Sequence, residues 1–269
     1  MLSPLVREPQ AGREIPSTLM FLSRSLLLSL AVIHPVVADH HGEAKTMALK
    51  MPAGLPAKSD PGALKEAGFK SIFNGKDLSG WKKVGGTASY EVKDGAIRGF
   101  GKNIRGNTFL RTEKEFDDFI FTFQFKFNDK TGNSGCMFRA FQKGENKDGR
   151  VTGYQCEHDN FKVPQRAWTA GIYDEARRGW LYPNKKKTSA EGKKAFTEQG
   201  DRLFVWDDWN TIVIVCKGNH LQTYLNGELR ADFTDTDEKN TDLKGFIAFQ
   251  VHGGNSGDIL WRNIYLKDL

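Results

Sequence analysis

The chain has 269 residues, 39% hydrophobic and 27% charged, enough to bury a sizeable core in one large or two small domains. Nineteen Phe and six Trp exclude a disordered chain, and 28 Gly against nine Pro point to many turns. A net charge of +6 is too weak to argue for a nucleic-acid partner, and three Cys without metal-ligand spacing exclude a disulfide scaffold and a zinc module.

In chain order, the first feature is an apolar run at 26–37, too short to span a bilayer, which needs roughly 20 residues. Arg24 flanks it and Val36-Val37-Ala38 closes it with small residues, so residues 1–38 are read as a signal peptide cut after Ala38. Met20 makes a tidier start than Met1. The mature protein is then expected to be secreted or periplasmic, without a membrane span. Residues 39–59 have no sustained period and read as a flexible linker. Its exposed start, Asp39-His40-His41, has nitrogens that suit Cu(II) or Ni(II), but an incidental polar start is the plainer reading. No metal and no cofactor are expected.

Residues 60–68 predict a two-turn helix: Asp60 caps it, Pro61 takes the first helical position and Gly68 the left-handed stop. The hydrophobic period then changes to two. Strands are expected at 90–92 and 96–98, and the clearest at 119–127. There Phe119, Phe121, Phe123, Phe125 and Phe127 share one face, and Ile120, Thr122, Gln124 and Lys126 the other. Further strands fall at 135–141, 153–159 and 169–173. Residues 174–205 carry Arg177, Arg178, Lys185, Lys186, Lys187, Lys193 and Lys194. They read as a solvated loop, with a lid over a binding face as the alternative. A strand at 209–216 and a hairpin of 221–225 and 228–232 around Asn226-Gly227 follow, then strands at 246–252 and 259–266. About a dozen short strands without crossover helices predict an all-β sandwich or jelly roll over residues 60–269, with a short N-terminal helix.

Phe73-Asn74-Gly75-Lys76-Asp77-Leu78-Ser79-Gly80-Trp81 resembles the opening signature of the bacterial 3-keto-disaccharide hydrolase family. Matches continue in order through Asn133-Ser134-Gly135 with Arg139, Gly153-Tyr154-Gln155, Gly171-Ile172-Tyr173 and Trp209-Asn210. Leu225-Asn226-Gly227, Gln250-x-His252 and Trp261-Arg262-Asn263-Ile264 complete them. The resemblance implies a concanavalin-A-like lectin/glucanase jelly roll. It also implies cleavage of glycosides already oxidised to a ketone at sugar carbon 3, some members acting as lyases or hydratases. One difference is local: the family commonly shows Tyr-Glu-x-Gln where this chain has Tyr154-Gln155-Cys156-Glu157, with acid and amide exchanged.

Period two sorts the candidates by face. Gln155, Glu157 and Asp159 share one face of 153–159, opposite Tyr154, Cys156 and His158. Arg139 lies opposite Cys136 and Phe138, and Gln250 and His252 lie opposite Phe249 and Val251. Arg139, Gln155, Glu157, Gln250 and His252 are therefore expected together on the outer, curved face of one sheet, where the resemblance places sugars. A ketone at carbon 3 acidifies the hydrogen on carbon 2, so elimination and hydration need a base, an enolate stabiliser and an acid. Glu157 is the candidate base, Arg139 the stabiliser and His252 the acid. Gln155, Asp159, Tyr173, Gln250, Trp168 and Arg177 are candidates for binding an oxidised carbohydrate substrate, with Trp180 and Tyr182 as further stacking aromatics.

Plainer readings remain for several of these. Glu157 can simply pair with Arg139 at the surface. His252 and Asp159 can serve turns, and Trp168 and Tyr173 can be core. His158 is read as structural. Cys136, Cys156 and Cys216 fall on inward positions, with a 136–156 disulfide as an option after export. The alternative function is a non-catalytic carbohydrate-binding, lectin-like module.

Overall fold

Alternation decides the architecture: a strand with Phe at every second position must lay that face on another layer. A computed structural model of the protein describes residues 60–128, 132–143, 149–159, 161–162 and 165–269. The expected signal peptide and linker, with Asp39-His40-His41, lie outside the described residues. Helix α1 (Pro61–Glu66) precedes strands β1 (Lys70–Ser71), β2 (Trp81–Gly85), β3 (Ser89–Lys93) and β4 (Ala96–Ile104). Next come β5 (Thr108–Phe116), β6 (Phe119–Phe127), β7 (Asn133–Gln142) and β8 (Val151–Asp159). A small hairpin, β9 (Phe161–Lys162) and β10 (Gln165–Arg166), leads to β11 (Ile172–Glu175) and β12 (Gly179–Tyr182). Helix α2 (Ala190–Leu203) is followed by β13 (Asn210–Lys217), β14 (His220–Leu225), β15 (Glu228–Thr234), β16 (Gly245–Val251) and β17 (Gly254–Asp268).

Two antiparallel sheets face each other. One runs β15-β14-β13-β6-β17-β4-β3 with β1 added on β17, and the other runs β12-β11-β8-β7-β16-β5-β2. The predicted phenylalanine face of β6 is buried between them, Phe119, Phe121, Phe123 and Phe125 completely. From the facing sheet Phe249 stacks on Trp81 at 5.5 Å and on Trp261 at 4.8 Å. Removing one such ring costs about 3–5 kcal/mol. All three cysteines are buried free thiols, and Cys136 and Cys156 are direct Cα partners.

The predicted first helix is present, with Asp60 accepting from Ala63 N–H at 2.8 Å and Gly68 at φ +84°. Asn226 and Gly227, at φ +48° and +89°, make the expected hairpin turn. Residues 174–205 depart from the loop expectation: they hold the end of β11, all of β12 and helix α2. Ser189 caps α2 by accepting from Gly192 N–H at 3.0 Å, and Phe196, Gly200 and Leu203 form its buried stripe. Arg230 of β15 fastens it, lying 3.6 Å over the Phe196 ring and donating to the Phe196, Ala167 and Thr169 carbonyls. Among the described residues no helix is long and apolar enough to cross a membrane.

Candidate active site

Strand β8 is the spine of the site. Tyr154, Cys156 and His158 point into the core, while Gln155, Glu157 and Asp159 face outward, as alternation requires. Outward here does not mean exposed, for Glu157 is only 4% exposed and Gln155 2%. They form the floor of a cleft of about 530 Å³, the size of a small-ligand site. Asn133 Nδ2 donates to Glu157 Oε1 at 3.0 Å and Gln155 Nε2 donates to Oε2 at 2.8 Å. Gln250 of β16 in turn donates from Nε2 to Gln155 Oε1 at 2.9 Å.

The walls come from five further segments. Tyr173 and Glu175 project from β11, where they are Cα partners of Gln155 and Gly153. Trp180 of β12 meets Tyr173 edge-on at 5.4 Å. Beyond it Asn184 accepts from the Lys186 and Lys187 N–H groups, folding Lys185 and Lys186 onto the rim. His252, exposed, closes the side after β16, its Nδ1 2.7 Å from the Gly253 carbonyl oxygen. Arg166 enters from the β9–β10 hairpin. Its guanidinium pairs with the buried Asp159 and lies 5.5 Å over Trp180, 5.2 Å over Phe161 and 5.9 Å over Trp168. A cation is thereby held beside Glu157 in an aromatic cage.

Burial, and then the neighbouring Asp159 carboxylate, hold the Glu157 pKa well above the ordinary carboxylate range. The Gln155 and Asn133 donors and the Arg166 charge pull the other way. Burial also raises Asp159 against the pull of Arg166, and raises Glu175. The arrangement offers a carboxylate able to take a proton near neutral pH, a fixed cation, a histidine and an aromatic wall. Among the described residues no group of three or more His, Cys, Asp or Glu is placed to hold a metal ion.

Five of the nine residues expected at the site line this cleft: Glu157, Gln155, Gln250, Tyr173 and His252. Arg139 does not. A bulge between Phe138 and Phe141, with Arg139 at φ +47°, breaks the alternation and turns its side chain to the end of the sandwich. There it donates to the Asp117, Gly218 and Asp242 carbonyls and pairs with Asp118 at 2.7 Å. Arg177 is also elsewhere, tied to Asp174 at 2.8 Å and to Asp242. Trp168 stands behind Trp180 at 4.6 Å and donates from Nε1 to Thr197, and Asp159 serves Arg166 and the Trp168 N–H. Arg166, Asn133 and Glu175 were not among the expected site residues. Asn133 lies two residues before Gly135 on a strand already in view, and Glu175 is on Tyr173's face of β11, so period two had the signal for both. Arg166 lies in a two-residue strand without a period.

Residues 68–267 match the 3-keto-alpha-glucoside-1,2-lyase-like domain family, and the chain belongs to it. The fold is that of a protein of unknown function with a galectin-like fold from Bacillus subtilis, TM-score 0.50 and 12% identity, with 74% of this chain and 98% of that one covered. A candidate glycosyl hydrolase from Parabacteroides distasonis aligns with TM-score 0.49 and 21% identity over 76% of this chain and 95% of that one. The carbohydrate-binding module CBM66 from Bacillus subtilis gives 0.40 and 15%, over 70% and 96%. A search of curated protein sequences returned no match. Family and fold together define a carbohydrate-active domain of the jelly-roll class.

Proposed function

We propose that the protein is an exported enzyme that cleaves 3-keto glycosides by removing the carbon 2 proton, eliminating the carbon 1 substituent and hydrating the product. Glu157 is the base. It takes the carbon 2 proton, and the freed electron pair forms the enolate with the carbon 3 ketone. The enolate then re-forms the ketone as the carbon 1–oxygen bond breaks and carbon 1 and carbon 2 become double-bonded. His252 protonates the leaving oxygen, and water adds to carbon 1 of the enone. Arg166 takes the role first assigned to Arg139, stabilising charge on the ketone oxygen. Tyr173 and Trp180 bind the sugar, while Gln250, fully buried, holds Gln155 beneath it.

The observation that carries this reading is Glu157 itself: buried on the cleft floor, accepting two N–H donors, and kept basic by burial. A module that only binds sugar has no need of such a group. The experiment is to incubate the purified protein with a 3-keto disaccharide and with its unoxidised parent, and to measure released sugar. Release from the keto compound alone is expected. Equal turnover of both would indicate an ordinary glycosidase with paired carboxylates, and binding without turnover would indicate a lectin-like module. Export is checked by N-terminal sequencing from a secreting host, where Asp39 is expected as the first residue of the domain's linker.

A further inference from the structure

Gln250, Gly135 and Glu157 are consecutive Cα partners across β16, β7 and β8. The middle residue of this row has no side chain, and the Gln155 amide occupies the space. A Cβ built on Gly135 would lie 2.5 Å from Gln155 Cδ and 2.8 Å from its Nε2. Gly135 has no positive φ that would itself call for glycine, so the space it leaves is the reason for it. Gln155 uses that space to bond Glu157 on one side and Gln250 on the other. The last atom of the chain, Gln250 Oε1, is buried and has no hydrogen-bond partner among the described residues.

We propose that Gly135 and Gln250 are positioning residues for Glu157, and that Gln250, Gln155 and Glu157 form a reversible amide relay laid across the glycine. With Glu157 ionised, both amides point their N–H groups toward it and Gln250 Oε1 is left as a free acceptor. When Glu157 takes a proton, its O–H donates to Gln155 Oε1 and Gln155 Nε2 donates to Gln250 Oε1. Both amides turn over, two hydrogen bonds are kept, and the free end of Gln250 becomes a donor. The relay follows the proton on Glu157 within a field set by all its neighbours. These are Asp159 on its own strand, Arg166 from β10, Tyr173 and Glu175 from β11, His252 after β16, and Lys185 and Lys186 at the rim.

The test is a carboxyl 13C titration of the full chain with labelled Glu, read together with the side-chain amide signals of Gln155 and Gln250. In the parent, both amides are expected to titrate at the Glu157 midpoint, although Gln250 does not touch Glu157. Gly135→Ala changes none of the three relay residues but displaces the Gln155 amide. It is expected to raise the Glu157 midpoint by about half to one pH unit, the excess of a hydrogen bond to the ionised carboxylate over the one the relay keeps when Glu157 is protonated, and to uncouple Gln250 from it. Gln155→Met gives the same rise should Gly135→Ala fail to fold. An unchanged midpoint in either folded variant, or Gln250 signals that ignore Glu157 in the parent, overturns the relay. The proposal rests on Glu157 being the base only for its consequence in turnover, where the acid limb of the pH profile moves with the midpoint. If keto glycosides are not turned over while the amides co-titrate, the catalytic reading fails and the relay stands.

Discussion

Glu157 and His158 are neighbours on one strand, both buried, and burial drives each away from its charged form. Their surroundings differ. His158 stacks on Phe125 at 4.2 Å and 17°, near Phe123, and neither ring nitrogen has a hydrogen-bond partner among the described residues. Glu157 accepts from two amide side chains and faces a caged guanidinium across a cleft. Burial alone therefore does not mark a working residue. What separates the two is whether the surroundings are built to support a charge when it forms.

The comparison is broken most directly by Glu157→Gln, which keeps the size but replaces one of the two accepting oxygens with an NH2 donor and removes the basic oxygen. Turnover of a 3-keto disaccharide is expected to fall by about two to four orders of magnitude. The same change is expected to raise Tm in the pH range above the ordinary carboxylate pKa. A group whose folded pKa is raised contributes stability that is lost as pH rises through that pKa, and Gln has nothing to ionise. Unchanged turnover removes Glu157 from the mechanism.

Two arginines sharpen the same contrast. Arg166→Met, made with Asp159→Asn so that no buried carboxylate is stranded, is expected to lower kcat by about a hundredfold or more. Arg139→Met is expected to leave kcat unchanged in the folded protein and to cost about 3 kcal/mol of stability in denaturant unfolding, because carbonyls buried around it lose their donor. The reverse result for the pair would restore Arg139 to the site.

These arginines also show what the sequence could and could not disclose. Period two was enough to place the phenylalanines of β6 in the core and to bring Gln155, Glu157 and Gln250 to one face. Those strands run regularly through the residues concerned, and sheet contacts follow from alternation alone. Alternation failed at Arg139 because a single left-handed residue resets the phase, and nothing in Phe138-Arg139-Ala140 announces it. It had nothing to say about Arg166, whose position depends on the ring cage of Phe161, Trp168 and Trp180 that only the folded chain assembles. Helix α2 was legible in part: Ser189 as cap and Phe196, Gly200 and Leu203 at helical spacing are local signals. The surrounding lysines and glycines masked them as loop.

The last prediction concerns the core side of the strand. Burial pulls His158 down to about 4, from the usual histidine value of 6.5. The unfolded chain therefore binds a proton at a pH where the folded one does not. A depressed folded pKa contributes stability that is present above 6.5 and lost as pH falls through about 4. The loss from this one group reaches about 3 kcal/mol at the acid end of that window and is nil at its top. His158→Phe retains a ring to stack on Phe125 and has nothing to protonate. Its Tm is expected to match the parent within a few degrees above pH 7, and to exceed it increasingly as the pH is lowered toward 4, with kcat at neutral pH unaffected. Melting curves at several pH values decide the matter. A constant offset between the two proteins would mean that packing, and not the proton, sets the role of His158. A fall in kcat at neutral pH would mean that the core face of β8 is coupled to its cleft face after all.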